Sequence, residues 1–222
     1  MAIAKINGIA KAAIASLNGV AEANVHKWNG LLWDPVVSFN GGPADTDYGW
    51  WDSASPSYTN TRATGRIIGT SGAGSPRTHE GVVRFPGITV AQGATIAAAN
   101  LYLYFNATGV GTAKFRFYGL DEDDGACPAD LTEWDADLAS NLTTANVYWE
   151  PNQYSEKGYF TSPELKTIIQ EIVNRGSWSS GNAIVLFILE EGTVPGYAYR
   201  SCWLHTDADG GDTAIPRLDI TV

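Results

Sequence analysis

A four-residue unit, apolar-Asn-Gly-apolar, recurs three times at a spacing of eleven near the start of the chain. The units are Ile6-Asn7-Gly8-Ile9, Leu17-Asn18-Gly19-Val20 and Trp28-Asn29-Gly30-Leu31. Asn-Gly accepts positive φ at both central turn positions, as a type I′ hairpin requires. Nine residues lie between successive turns, about one strand length. The register favours a small meander or zigzag of strands. The rival is one short helix through the Ala-rich stretch from Ile9 to Leu17, since Ala favours helix. Residues 1–32 hold few other large apolar side chains, too few to fold alone. The segment is therefore expected to become ordered on another surface. That surface is either the same segment of sister subunits or the exposed strand edges of a larger particle.

The remainder, residues 33–222, reads as one all-β domain. Residues 33–81 are rich in Gly, Pro, Ser, Thr and Asp, and are expected to be mostly long loops, with a strand near Thr64 to Ile68. Strand signals then follow in series. They are Val82 to Phe85, Leu101 to Phe105, Lys114 to Tyr118, Asn146 to Trp149, Ala183 to Leu189, Tyr197 to Leu204 and Arg217 to Val222. The Ala183 to Leu189 run is apolar throughout and predicts a central strand. One helix interrupts the series. Ser162 is expected as its N-cap and Pro163 at its first position. Leu165, Ile168, Ile169, Ile172 and Val173 form one apolar stripe. Arg175 and Gly176 are expected to close it. One helix among about eight strands predicts a β-sandwich with a packed helix.

Composition narrows the function classes. Acidic residues number 24 against 14 basic, a formal charge of −10. So negative a surface repels phosphate backbones and anionic bilayers, so neither nucleic acid nor membrane is an expected partner. No run of about 18 apolar residues is present. The N-terminus, broken by Lys5, Asn7, Lys11 and Asn18, lacks the apolar core of a secretory signal, so folding in the cytosol is expected. Cys127 and Cys202 are accordingly expected as free thiols rather than a disulfide.

Catalytic signatures are missing from the linear sequence. His26, His79 and His205 do not fall at zinc-ligand spacing. No G-x-S-x-G elbow occurs, and the Gly-rich stretch from Gly69 to Gly74 lacks a following Gly-Lys-Ser. No pair of carboxylates stands out. An enzyme is therefore not expected. Two acidic clusters, Asp121 to Gly125 and Asp207, Asp209 and Asp212, read either as solvated turns or as oxygen-rich loops able to hold calcium. Trp50-Trp51 lie in an expected loop, where two adjacent indoles are hard to bury together. They are candidates for a sugar platform or a protein-interface anchor.

The series over residues 82–222 resembles the DNRLRE-type jelly-roll domain, close to a family of carbohydrate-binding modules. Val83-Arg84-Phe85 is similar to that family's aliphatic-Arg-Phe strand. The stretch from Ile96 to Tyr104 is similar to its I-x-x-A-x-L-x-L-Y strand. Leu131-Thr132-Glu133-Trp134 resembles its Glu-Trp loop, and Ile215-Pro216-Arg217-Leu218 its closing strand, with Ile215 in place of the first Arg. The resemblance implies a jelly-roll sandwich, and a structural calcium ion as a candidate cofactor at Asp207, Asp209 and Asp212. The N-terminal units resemble repeats of structural proteins of tailed bacteriophages. Together the two resemblances imply a virion protein, assembled in the host cytoplasm, that decorates a capsid or forms part of a fibre. Its expected partners are itself, as a homotrimer, and capsid or tail proteins of the particle. A host-surface glycan is the expected partner in the alternative reading, a carbohydrate-binding module.

Overall fold

The computed structural model describes residues 36–44, 47–53, 57–59, 66–72, 75–105, 109–151, 157–192, 197–203 and 215–222, and six two-residue strands before residue 33. Those six are β1 (Lys5–Ile6), β2 (Ile9–Ala10), β3 (Ser16–Leu17), β4 (Val20–Ala21), β5 (Lys27–Trp28) and β6 (Leu31–Leu32). They pair as three separate antiparallel hairpins, with Ile6 opposite Ile9, Leu17 opposite Val20 and Trp28 opposite Leu31. That register leaves two residues in each connection, the Asn-Gly pairs. Asn7, Gly8, Asn18, Gly19, Asn29 and Gly30 themselves lie outside the described residues. Each hairpin pairs only with itself among the described residues, so the expected continuous meander is replaced by three short units.

The rest of the chain supplies β7 (Val36–Asn40), β8 (Tyr48–Asp52), β9 (Ser57–Thr59), β10 (Arg66–Ser71), β11 (Arg77–Phe85) and β12 (Ala98–Phe105). After these come β13 (Phe115–Leu120), α1 (Leu131–Ser140), β14 (Leu142–Trp149), β15 (Gly158–Thr161) and α2 (Lys166–Val173). The series closes with β16 (Ile184–Glu190), β17 (Ala198–Trp203) and β18 (Arg217–Thr221). Every pairing is antiparallel. One layer runs β14-β13-β16-β11-β8-β9, and the other β7-β18-β12-β15. β10 and β17 pair with each other and link β11 to β12, so hydrogen bonding passes from one layer to the other. The layers face each other across one core. Phe105 of β12 stacks on Trp149 of β14 at 5.9 Å, although these strands are not paired. The fold is a jelly-roll-like β-sandwich, as expected.

β16 confirms the reading of its apolar run. It is paired on both edges and covered on both faces. Ile184, Leu186 and Ile188 enter the main core, while Val185 and Phe187 enter a second cluster on the far side of the sheet.

That second cluster exists because of a helix the sequence reading missed. α1 occupies the stretch expected as a Glu-Trp loop. Asp130 caps it, its Oδ1 accepting from the N–H groups of Thr132 (2.8 Å) and Glu133 (3.0 Å). Glu133 reaches back to accept from Ala129 N–H at 2.8 Å. The helix buries Trp134 against Tyr58 and Phe187, each ring 5.2 Å away.

The expected helix, α2, starts later than predicted. Ser162 is not its cap: the Ser162 Oγ accepts from Leu101 N–H at 2.9 Å, joining this segment to β12. Leu165 stands at the N-cap without a side-chain bond, and Glu164 accepts from Lys166 N–H at 3.1 Å. At the other end Asn174, not Gly176, is the C-cap. The apolar stripe itself is as predicted: Ile168, Ile169, Ile172 and Val173 are all in the main core. Gly119 of β13 permits this approach, because a Cβ there would lie 2.7 Å from Ile172 Cδ1.

The loop reading of residues 33–81 is corrected as well. β7, β8 and β9 lie within it, and β10 and most of β11 extend past the expected strands. The many Gly and Pro residues hid them, together with strands of only three to six residues.

Candidate functional site

The residues expected to carry assembly sit in the three hairpins. Their apolar members, Ile6, Ile9, Leu17, Val20, Trp28 and Leu31, occupy the paired positions nearest the turns. Each hairpin thus carries one apolar residue pair at its turn-flanking register position, repeated at a constant interval along the chain.

Trp50 and Trp51 are strand residues of β8, not loop residues, and the alternation of a strand resolves the difficulty of placing both. Trp50 donates from Nε1 to the Ile67 carbonyl at 3.2 Å and stacks on His79 at 5.2 Å. Trp51 faces the other side and packs with the cluster around Trp134. Both are half-buried, and each indole packs within the fold.

Asp207, Asp209 and Asp212 lie outside the described residues, as do His26 and His205. In the other acidic cluster, Asp121 and Asp123 bind Arg175 at 2.5 and 3.0 Å. Asp124 accepts from Ala183 N–H at 2.8 Å. These carboxylates tie the β13–α1 loop to the chain around α2 and β16. Among the described residues no group of three or more His, Cys, Asp and Glu side chains is placed to hold a metal ion. Cys127 and Cys202 are free and buried in different clusters, on opposite faces of the sheet. Burial pushes both thiols up, Cys202 to about 12.

The arginine of Val83-Arg84-Phe85 has a structural duty. Arg84 pairs with Asp47 at 3.1 Å and donates from Nε to the Gly125 carbonyl at 2.8 Å, fastening two loops to β11.

Three arrangements appear that the sequence did not announce. The first is a groove of about 300 Å³ between α1 and the loop before it, lined by Glu122, Cys127, Glu133 and Asp137. Burial raises the Glu122 and Asp137 carboxyls above their ordinary range, with the Asp137 charge adding to it at Glu122 and the Glu133 charge at Asp137. The second is a row of tyrosines on the outer face of the β18-β12-β15 layer. Tyr104 and Tyr159 meet edge to face at 5.3 Å, and the Arg217 guanidinium lies 4.2 Å from the Tyr102 ring. The third is a polar group at the end of β10 and β11. Ser71 Oγ lies 2.6 Å from His79 Nε2, and His79 Nδ1 lies 4.0 Å from Asp52 Oδ2. On the opposite face of β11, Thr70 hydrogen-bonds Glu190, and Glu190 N–H donates to Glu80 at 3.2 Å. Burial, with the Glu190 charge adding to it, raises Glu80 to about 7.

The polar group is assembled across strand pairings, with Ser71 and His79 8 positions apart and Thr70 and Glu190 120 apart, so no linear motif marks it. Only the tyrosine row had a signal, the alternation in Tyr102-Leu103-Tyr104. No protein-family model matches the chain, and no curated protein matches it.

Proposed function

We propose that this chain is a virion structural protein of a tailed bacteriophage, decorating a capsid or forming part of a fibre. The N-terminal hairpins dock, and the sandwich is displayed outward. The observation that carries this reading is the set of three equally spaced hairpins, each paired only with itself among the described residues. An isolated two-stranded hairpin is marginal in water, and one with two residues per strand more so. Their stability must come from a surface outside the segment. The segment's resemblance to phage structural repeats points to that surface as sister subunits and the particle. An acidic exterior, with net charge −10, suits a displayed domain that must not adhere to nucleic acid during assembly. A homotrimer is the favoured state. Light scattering on the full chain and on a chain beginning at Trp33 tests this. The full chain should be oligomeric and the shortened one monomeric. A shortened chain that assembles as well as the full one contradicts it.

A second reading, glycan binding by the sandwich, is favoured by the tyrosine row rather than by Trp50 and Trp51. Aromatic faces beside Arg217 and Asp219 offer stacking and hydrogen bonding to a sugar ring. Glycan-array binding that Tyr102→Ala and Tyr159→Ala abolish supports it. Binding unaffected by both changes, or none at all, rejects it.

A further inference from the structure

We propose that Ser71, His79 and Asp52 form a nucleophilic triad that hydrolyses short acyl esters, an activity beyond the structural role above and independent of it. The three residues come from the ends of β10, β11 and β8, which are neighbours in one sheet: Gly69 pairs with His79, and His79 with Asp52. Ser71 and His79 lie on the same face, two residues apart in register, and their side chains meet at 2.6 Å.

The nitrogens are used in the order nucleophilic catalysis needs. Nε2 faces the serine hydroxyl, and Nδ1 faces the carboxylate. With its proton on Nδ1, toward Asp52, the imidazole presents a lone pair to Ser71 Oγ. The Asp52 contact, at 4.0 Å, is longer than a hydrogen bond. Such contacts are commonly long in unliganded sites and tighten with substrate.

The surroundings hold this geometry. Trp50 lies nearly parallel to the imidazole, 13° between planes at 5.2 Å, and its own Nε1 is fixed to the Ile67 carbonyl. Next to Asp52, Ser53 is tied to β11 twice, accepting from Thr78 N–H at 2.7 Å and donating its N–H to Thr78 O at 3.0 Å. His79 is buried, whereas Ser71 is half-buried and so within reach of a ligand. Arg77, exposed, stands directly opposite Ser71 on the same face of the ladder, a cross-strand position from which its side chain can extend toward a ligand at the hydroxyl.

The chemistry follows. Ser71 Oγ attacks the ester carbonyl carbon as His79 Nε2 takes the hydroxyl proton. The negative charge on the carbonyl oxygen develops near Arg77. Collapse expels the alcohol, which leaves with the proton from His79. Water then attacks the acyl-serine by the same steps, releasing the carboxylic acid and restoring Ser71. Esters are the expected class because an alkoxide leaves more readily than an amine, and one cation offers limited oxyanion stabilisation. Asp52 does not touch the substrate; it is a positioning residue.

A fluorophosphonate probe tests the proposal on the full chain, because its serine adduct forms by the same attack with loss of fluoride. Intact mass and peptide mapping should show one adduct, on Ser71, and p-nitrophenyl acetate should be turned over. Ser71→Ala should abolish both, and His79→Gln should slow labelling by about 100-fold or more. Asp52→Asn should move the pH midpoint of labelling downward, since removing a nearby negative charge disfavours protonated imidazole. A purely structural Asp52 would leave that midpoint in place. A folded wild-type chain that stays unlabelled, or is labelled elsewhere than Ser71, overturns the proposal whatever the variants do.

Discussion

At the residue scale, the sandwich keeps several polar groups inside only because strand register aligns them. Glu80 is the clearest case. It sits opposite Trp51 across one edge of β11 and accepts from Glu190 N–H across the other. Burial raises its carboxyl from the ordinary 4.5 to about 7. The folded state therefore holds a proton that the unfolded chain has already lost between those values. The stabilisation from protonated Glu80 is full below about pH 4.5 and is lost as pH rises through about 7. The wild type should lose stability across that window, on the order of 3 kcal/mol. Denaturant titrations at several pH values should show that slope, and Glu80→Gln should flatten it. Equal slopes in the two proteins would show that Glu80 is not the group responsible. The same scale explains why Ser71, His79 and Asp52 could not be found by inspecting the sequence. His79 has no metal-ligand spacing along the chain, and its neighbours are set across the sheet.

At the element scale, what could be read depended on periodicity. β12 and β16 were legible because Leu101-Tyr102-Leu103-Tyr104 alternates and Ala183 to Leu189 is apolar throughout. The α2 stripe was legible for the same reason, through Ile168, Ile169, Ile172 and Val173. Its start was misplaced because Ser162-Pro163 has the look of a cap, yet the Ser162 hydroxyl is spent on Leu101 of β12. α1 was missed because it is short, acidic and only weakly amphipathic, burying Trp134 and Asp137 alone. A signal was present in Asp130-Leu131-Thr132-Glu133, the spacing of a reciprocal cap. Asp130→Ala should cost about 1 kcal/mol by leaving two N–H groups without their acceptor. Chemical denaturation gives that loss directly, while Asp130→Asn should recover most of it. No loss on Asp130→Ala would mean that the helix start is held by Trp134 packing alone.

At the scale of the whole molecule, two parts differ in how they can be stable. The sandwich closes its own core from both layers and covers the outer face of β16 with α1. The three hairpins each form a two-stranded sheet of their own among the described residues, and the proposed role of their repeat is contact with other chains. The Asn-Gly positions could be read from the sequence because turn chemistry is local. The association proposed for the hairpins has no such local signal, because a partner surface is not encoded in their own residues. The central claim is that docking belongs to residues 1–32 and display to the sandwich. Co-sedimentation with the parent phage particle tests it most directly, using the full chain and a chain beginning at Trp33. The full chain should pellet with particles that lack their own copy, and the shortened chain should remain in the supernatant. Equal pelleting of the two would contradict the account and place docking on the sandwich.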